Sequence, residues 1–379
     1  MSENIHENAG GDVNNSINSG ADNNSINGGT DNNMNNRAGG DTDNDVNHIT
    51  MSSRVRAARN ITDTVFPNRM GAEGASVLLE RIRTAFFDSA DIDGEDFEYI
   101  DIHQLDSLEK MILVEKHLVS PDLIVADRPC AVILSKDESV SIMLNEEDHL
   151  RIQCIAPAES LDKVFQRCVQ IERIFDSRFP IAFDQSFGYL TSCPTNLGTG
   201  MRISYMLHLP ACVMSGHINN ILAVCNKIGI AVRGIYGENS EASGNLFQFS
   251  NQGSLGRSEA DTLLAIKNVR ENIIGHENNI RRDILKQNRA KLEDRVCRAY
   301  GTLAHARILS SQEFMRLWSD VRMGVDMEII CDVDIDRLDR IVTQIQPATI
   351  QKAYGRMLNS EERDEQRARI VRRQLAGNS

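Results

Sequence analysis

No run of about 18 apolar residues occurs anywhere in the chain, which argues against a membrane-spanning helix. No apolar segment follows the N-terminus, so no secretory signal is expected. The eight cysteines, Cys130, Cys154, Cys168, Cys193, Cys212, Cys225, Cys297 and Cys331, form no Cys-x-x-Cys pair. Most sit in apolar stretches and read as reduced core thiols of a cytoplasmic protein. A net charge of −13 leaves no general basic surface for nucleic acid. Neither Gly-x-x-x-x-Gly-Lys-Ser/Thr nor a His-Arg-Asp and Asp-Phe-Gly set is present, which argues against P-loop and ordinary protein-kinase chemistry. Residues 1–49 have few apolar side chains and repeat loosely at 14–18, 23–27 and 32–36. Such a segment cannot offset the entropy of ordering and is expected to be a disordered tail; three weak copies of a β-solenoid would bury almost nothing.

The remaining residues have ordinary globular texture. Helical periodicity covers 75–87 and 105–119, then short β-type runs follow at 130–134, 140–144 and 150–154. Lys136-Asp137-Glu138-Ser139 suits a hairpin turn between the first two. A helix capped by serine is predicted over 160–178, strands over 188–191 and 202–207, a helix over 215–228 and an extended segment over 230–233. The pattern predicts an α+β fold, an antiparallel sheet flanked by helices. From Ser258 onward it turns helical, at 258–300, 311–323, 335–346 and 360–374, with the single tryptophan, Trp318, in that core. The expected division is a tail at 1–49, a catalytic unit at 50–265 and a helical unit at 266–379.

Two strings carry chemistry: Asn145-Glu146-Glu147-Asp148-His149-Leu150-Arg151 and Cys193-Pro194-Thr195-Asn196-Leu197-Gly198-Thr199-Gly200-Met201-Arg202. Each sets an active side chain ahead of an arginine, and a carboxylate beside a guanidinium suits phosphate handling better than core packing. In Ser52-Ser53-Arg54-Val55-Arg56 an extended backbone sends both guanidinium groups from one face. Taken singly, Arg54, Arg56, Arg151, Arg202 and Arg233 read as surface charges; together with Gly, Thr and Asn loops they make a cradle for a polyphosphate. Glu147 and Glu238 each lie within five residues of one of those arginines, although two solvated glutamates would look the same.

In that order, Ser-Ser-Arg-Val-Arg, Asn-Glu-Glu-Asp-His-Leu-Arg, Cys-Pro-Thr-Asn-Leu-Gly-Thr-Gly-Met-Arg and Arg-Gly-Ile-Tyr-Gly-Glu resemble the phosphagen (guanidino) kinases, over about Ser52 to Glu259. The resemblance implies transfer of the ATP γ-phosphoryl group to a guanidinium nitrogen. It implies a nucleotide site from Ser52, Ser53, Arg54, Val55, Arg56, Arg151, Arg202, Ile203, Ser204, Tyr205 and Met206. To these it adds Arg233, Gly234, Ile235, Tyr236, Gly237 and Glu238, with His117 approaching the base. Glu147 and Glu238 would hold the acceptor, with Cys193 against it, either as an orienting thiolate or as packing. Mg²⁺ would ride on the nucleotide phosphates, and no carboxylate cage for a protein-held metal is visible.

Only the Asn-rich tail precedes Ser52, where the small-molecule phosphagen kinases carry a folded helical region, and a site without that cover could admit an arginine on a protein surface. The helical unit resembles that of the bacterial protein arginine kinases of McsB type, to about Leu375. Within it Arg363-Asp364-Glu365-Gln366-Arg367-Ala368 resembles their Arg-Asp-x-x-Arg-Ala motif, which implies allosteric phosphoarginine binding by Arg363, Asp364, Arg367 and Ala368. Arg363 and Arg367 lie four apart on one helix face, which permits a two-pronged anion site, but a charged, solvated helix has the same pattern. The likeness implies a protein arginine kinase linked to quality control, with protein substrates bearing exposed arginine. A Clp-type protease system, an activator protein and a homodimer are further implied partners. A kinase of free guanidino compounds and a phosphoarginine-binding adaptor with little catalysis are the alternatives.

Overall fold

The computed structural model describes residues 48–91, 96–157, 160–234 and 242–376. The tail expected over 1–49 falls, apart from His48 and Ile49, outside the described residues, as do Ile235, Tyr236, Gly237 and Glu238.

The strands are β1 (Thr50–Arg59), β2 (Phe97–Asp101), β3 (Ala131–Ser135), β4 (Val140–Leu144), β5 (Leu150–Pro157), β6 (Phe183–Asp184), β7 (Gly188–Tyr189), β8 (Met201–His208), β9 (Ile230–Gly234) and β10 (Leu246–Asn251). Eight of them form one antiparallel sheet in the order β2-β3-β4-β5-β1-β8-β10-β9. The helices are α1 (Ala72–Phe87), α2 (Ser107–Glu115), α3 (Pro121–Ile124), α4 (Leu161–Asp176), α5 (Pro210–Met214), α6 (Ile218–Lys227), α7 (Glu259–His305), α8 (Ser311–Asp326), α9 (Ile335–Gln344), α10 (Pro347–Tyr354) and α11 (Ser360–Leu375). Among the described residues no helix is long and apolar enough to cross a membrane.

Strand alternation divides the sheet into two unlike faces. On one, Val55 and Ala57 of β1, Ile152 and Cys154 of β5, Ile203 and Tyr205 of β8, and Phe247 and Phe249 of β10 are buried with Ile82 and Phe86 of α1, Ile171 and Phe175 of α4, and Ile266 and Ile273 of α7. The other face is covered only toward its ends. Val132, Leu134 and Met143 pack under Leu113, Leu118 and Leu123 from α2 and α3. Leu246 and Met206 join the core of the C-terminal helices around Trp318. Between these two patches the face stays open, and there the functional side chains emerge.

The expected helix over 105–119 closes at Glu115, because His117 adopts a left-handed backbone (φ 59°) and the chain turns back to the sheet. The expected boundary near residue 265 lies inside α7, which is two helical stretches joined across a kink at Asn288. Apolar side chains up to Ile280 join the sheet core, and those from Ile284 join the bundle. The eight-residue helix α10 and the strands β2 and β10 are not expected from the sequence. Glu115 of α2 caps α10, accepting from the backbone N–H groups of Ala348 (2.6 Å) and Thr349 (3.0 Å).

Helices α7 and α8 meet so closely that Gly324 has no room for a methyl group: a Cβ there would sit 2.1 Å from Val296 Cγ1. Replacing a helical glycine by alanine ordinarily stabilises by about 1 kcal/mol. Valine is stiff at χ1 and cannot swing aside, so overpacking of ~1–3 kcal/mol decides the sign. Gly324→Ala is expected to lower the urea midpoint, and Val296→Ala in the same chain to restore part of the loss.

Candidate active site

Register brings the five arginines together. Arg56 on β1 stands opposite Arg202 on β8 and Gln153 on β5; Arg151 stands opposite Ala58, and Arg54 opposite Ser204. Ser204 pairs with Ser250 and Ser250 with Ala231, two residues before Arg233 on β9. By parity all five guanidinium groups leave the open face. Ser52, Ser204 and Met206 share that face, whereas Val55, Ile203 and Tyr205 point into the core and can offer a ligand on the open face no side chain. Ser53 is also buried.

Among the described residues no carboxylate forms an ion pair with Arg54 or Arg56 at the centre of this cluster. Burial, then Arg151 and Arg202, push Arg54 down to about 10; burial, then all four other arginines, hold Arg56 well below its ordinary value. A guanidinium keeps its proton in proteins, so both remain cations under mutual repulsion. The Nε atoms of Arg54 and Arg56 are buried without a hydrogen-bond partner. Among the described residues Arg202 donates to Ser250 Oγ (3.0 and 3.2 Å), and it is likewise lowered, by burial and then by Arg233 and Arg151. Such a cluster is satisfied by a polyanion that brings several oxygens at once.

Arg151 is the exception, and its partner is a residue that sequence reasoning missed. It is ion-paired to Glu146, whose side chain is 2% exposed. Glu146 also accepts from Ser120 Oγ (2.6 Å) and from the Glu147 backbone N–H (2.8 Å). Burial would raise this carboxyl, but Arg151 and those donors overcome it and hold it below the ordinary glutamate value.

The rest of the string is a buried polar frame. Asn145, at φ 55°, donates to the carbonyls of Ala75 and Pro129 (both 3.2 Å). Asp148 Oδ1 accepts from Asn60 Nδ2 (2.6 Å) and from the Ser192 N–H (2.7 Å). His149 Nδ1 accepts from the Ile61 N–H (3.0 Å), which leaves the proton on Nε2 to donate to Val65 O (2.9 Å). Only Glu147 is left facing the cavity. The signal was present: five consecutive polar residues joining two apolar strands cannot all be solvated if one must be aimed.

Glu147 lines a cavity of about 160 Å³ together with Arg56, Arg151, Arg202, Cys193, Thr195 and Asn196. Burial, then Asp148 and Glu146, raise its pKa above the ordinary value. The Cys193 thiol hydrogen-bonds Glu147 and lies 3.0 Å from Thr195 Oγ1. The glycines of this loop serve close backbone approach: a Cβ on Gly198 (φ 113°) would meet Ser254 O at 2.4 Å, and one on Gly200 (φ 61°) would meet Arg59 Nη1 at 2.5 Å.

His117 is brought to the edge of the arginine cluster. Its carbonyl accepts from Gln153 Nε2 (2.8 Å), and burial, then Arg54, lower its ring to about 4, so the imidazole is neutral at pH 7. In α11, Arg363 is half-buried and donates to Leu358 O (2.7 Å). Arg367 is buried, ion-paired to Asp364, and donates to Leu309 O (2.9 Å); Ala368 is buried beside it. Among the described residues no three His, Cys, Asp or Glu side chains gather as a metal site would need.

Residues 78–280 match the family of the ATP:guanido phosphotransferase C-terminal catalytic domain, and residues 289–379 that of the Protein-arginine kinase McsB C-terminal domain. The chain is 46% identical over 327 residues to a protein-arginine kinase of Caldanaerobacter subterraneus subsp. tengcongensis, covering 86% of this chain and 97% of that one. It is 43% identical over 338 residues to a protein-arginine kinase of Pelotomaculum thermopropionicum, covering 89% and 95%. Among solved structures it is similar in fold to a duplicated taurocyamine kinase of Schistosoma mansoni in complex with transition-state-analogue components (TM-score 0.54, 24% identity, 60% of this chain and 33% of that one). A lombricine kinase is similar as well (TM-score 0.53, 22% identity, 60% and 66%).

The Glu146–Arg151 pair can be tested by stability. Because folding depresses the Glu146 pKa, its contribution is present above the unfolded glutamate value and lost as pH falls through the folded one. Glu146→Gln should cost about 2 kcal/mol at pH 7, less than the ~3–5 of a fully enclosed pair because the Arg151 side chain is 25% exposed. The loss should shrink toward acid pH in urea titrations, and a loss that does not vary with pH would contradict the assignment.

Proposed function

Because the chain belongs to the protein-arginine kinase family and phosphorylates arginine side chains of proteins with ATP as donor, we propose that the open sheet face is where the transfer occurs. The observation that carries this is the single cavity shared by three unneutralised or half-neutralised arginines and one carboxylate of raised pKa.

Arg54, Arg56, Arg151, Arg202 and Arg233 hold the phosphates, with Ser52 and Ser204 at their bases and Gly234 at the end of β9. The neutral His117 ring presents a flat surface to the nucleotide base. Mg²⁺, when bound with the nucleotide, would supply further charge neutralisation; among the described residues no group of three His, Cys, Asp or Glu side chains would hold it, and Glu147 is the carboxylate that lines the cavity.

A substrate guanidinium is a poor nucleophile: its pKa lies above about 12 and its lone pairs are delocalised. Glu147 hydrogen-bonds it, localises its charge and takes the departing proton, with Glu238 as the second carboxylate. A carboxyl raised toward neutrality is the better base, since proton transfer is most efficient when the acceptor pKa approaches the working pH. Cys193, hydrogen-bonded to Glu147, orients that carboxylate. The arginine ring stabilises the charge that develops on the transferred phosphoryl oxygens.

The segment 363–368 is proposed as the allosteric phosphoarginine site of Arg363, Asp364, Arg367 and Ala368, with half-exposed Arg363 and Asp364 reaching the ligand and buried Arg367 and Ala368 holding the helix in place. The quality-control role, the Clp-type protease, the activator protein, the homodimer and the cytoplasmic location belong to the same proposal and rest on likeness to the family.

Incubation with ATP and an arginine-rich protein should give an acid-labile mass gain; consumption of free arginine with none on protein would overturn the acceptor assignment. Glu147→Gln and Glu238→Gln are each expected to lower kcat by about 10²–10⁴. The raised Glu147 pKa means its carboxylate form is lost at higher pH than usual, so the acid limb of the pH–rate profile should break above the ordinary glutamate value and vanish in Glu147→Gln.

A further inference from the structure

A second cavity, of about 480 Å³, opens beside the acceptor pocket and has no part in phosphoryl transfer; Val65, Phe66, Asn68, Arg69 and Ser192 line it. Both its walls hang from three consecutive residues of the acceptor string. On one side Ser192 Oγ donates to Glu147 O (2.7 Å) and Ser192 N–H to Asp148 Oδ1 (2.7 Å). On the other, His149 donates to Val65 O, and the Phe66 ring packs edge-on against the His149 ring at 5.9 Å. Buried Pro67 then opens a short 3₁₀ turn that ends at Arg69. A cavity pinned this way keeps a fixed position relative to Glu147.

Its surface is also uncommitted. Val65 is 57% exposed, although its own carbonyl is anchored. Arg69 is exposed, and among the described residues its guanidinium forms no ion pair. The phosphate-holding arginines occupy the sheet side of the acceptor pocket, and in-line transfer brings the acceptor nitrogen from the opposite side. An extended arginine side chain spans roughly 6–7 Å from Cα to the guanidinium carbon. The backbone of a bound target arginine therefore emerges at the rim past Ser192 and Cys193, where this cavity begins.

We propose that this cavity is the subsite for the residues flanking the target arginine in a polypeptide substrate, taking an apolar neighbour on Val65 and Phe66 and an acidic neighbour on Arg69. The occupant is a peptide continuous with the acceptor; a free amino acid has no flanking residues to place there. The proposal rests on Glu147 as the acceptor carboxylate. Arg69 acts as a specificity residue at the rim, where opposite charge selects partners more than it adds affinity.

The test uses the full chain, saturating ATP and peptides with one arginine flanked by Glu, Ala, Lys or Leu, with initial rates read by intact mass. The wild type should favour the Glu-flanked over the Lys-flanked peptide by about threefold in kcat/KM, mostly through KM, as a surface pair allows. Arg69→Glu should invert that order, moving the ratio by about tenfold while the KM for ATP holds. Val65→Asp should lower kcat/KM for Leu-flanked peptides by about fivefold, at an exposed position that does not threaten folding. If both variants leave these ratios within about twofold of wild type while turnover still depends on Glu147, the subsite is wrong and the acceptor assignment stands. If Glu147→Gln turns over peptides at the wild-type rate, the acceptor assignment fails and the subsite with it.

Discussion

Five positive charges held on one face of a sheet is the constraint from which the rest of the structure follows. Like charges at these separations repel, and Arg54 and Arg56 are partly desolvated as well. They stay where they are because they have no freedom to leave. Arg54, Arg56, Arg151 and Arg202 are fixed to central strands whose opposite face is locked into the main core through Val55, Ala57, Ile152, Cys154 and Ile203, and Arg233 to the edge strand β9. Burial of those apolar residues opposes the repulsion, and the alternation of the backbone transmits it. A preorganised cationic surface of this kind needs no rearrangement when negative charge develops on it, which is the most effective form of electrostatic catalysis.

The side proposed to receive the acceptor is built by a different device. The string between β4 and β5 buries Asn145, Glu146, Asp148 and His149, all hydrogen-bonded, so that one member, Glu147, is aimed at the cavity. Hydrogen-bonded polar networks specify geometry more sharply than apolar contacts do, since displacement leaves buried donors or acceptors unpaired; in this one Asn145 Oδ1 is buried without a partner among the described residues. Adjacent carboxyls are thereby driven apart in character: Glu146 is held ionised by Arg151, and Glu147 is raised by burial and by its acidic neighbours. One becomes structure and the other chemistry. The C-terminal helices reach the same region indirectly, because α10 is capped by Glu115 at the end of α2, two residues before His117.

The elements legible in the sequence are those with long or regular patterns. The helix expected over 160–178 is α4, and the hairpin predicted at Lys136 to Ser139 joins β3 to β4, with Glu138 in the left-handed conformation such a turn needs. The long helix from Ser258, α8, α9 and α11 were also visible, because amphipathic periodicity accumulates over several turns. The passage of α7 through the expected boundary was not visible. A helix that changes from one core to another midway keeps the same local pattern throughout. Nor could spacing distinguish the roles within α11, where Arg367 is buried against carbonyls and Arg363, one turn earlier, is half-exposed.

The sequence by itself determined which residue types were available and on which parity they stood: Arg54 with Arg56, Arg151 and Arg202 next to their acidic and cysteine-bearing strings, and a helical C-terminal unit. Alternation and periodicity are local properties, and local order in the chain is enough to establish them. Only the tertiary structure decided that β5, β1, β8 and β10 adjoin in the register that sums five separate charges into one site. It alone separated Glu146 from Glu147, and turned Val55, Ile203 and Tyr205 away from the ligand face. Those outcomes depend on pairings between strands that are not neighbours in the chain, β1 with β5 and β8 above all, fixed by burial of the opposite face, and a linear pattern holds no record of them.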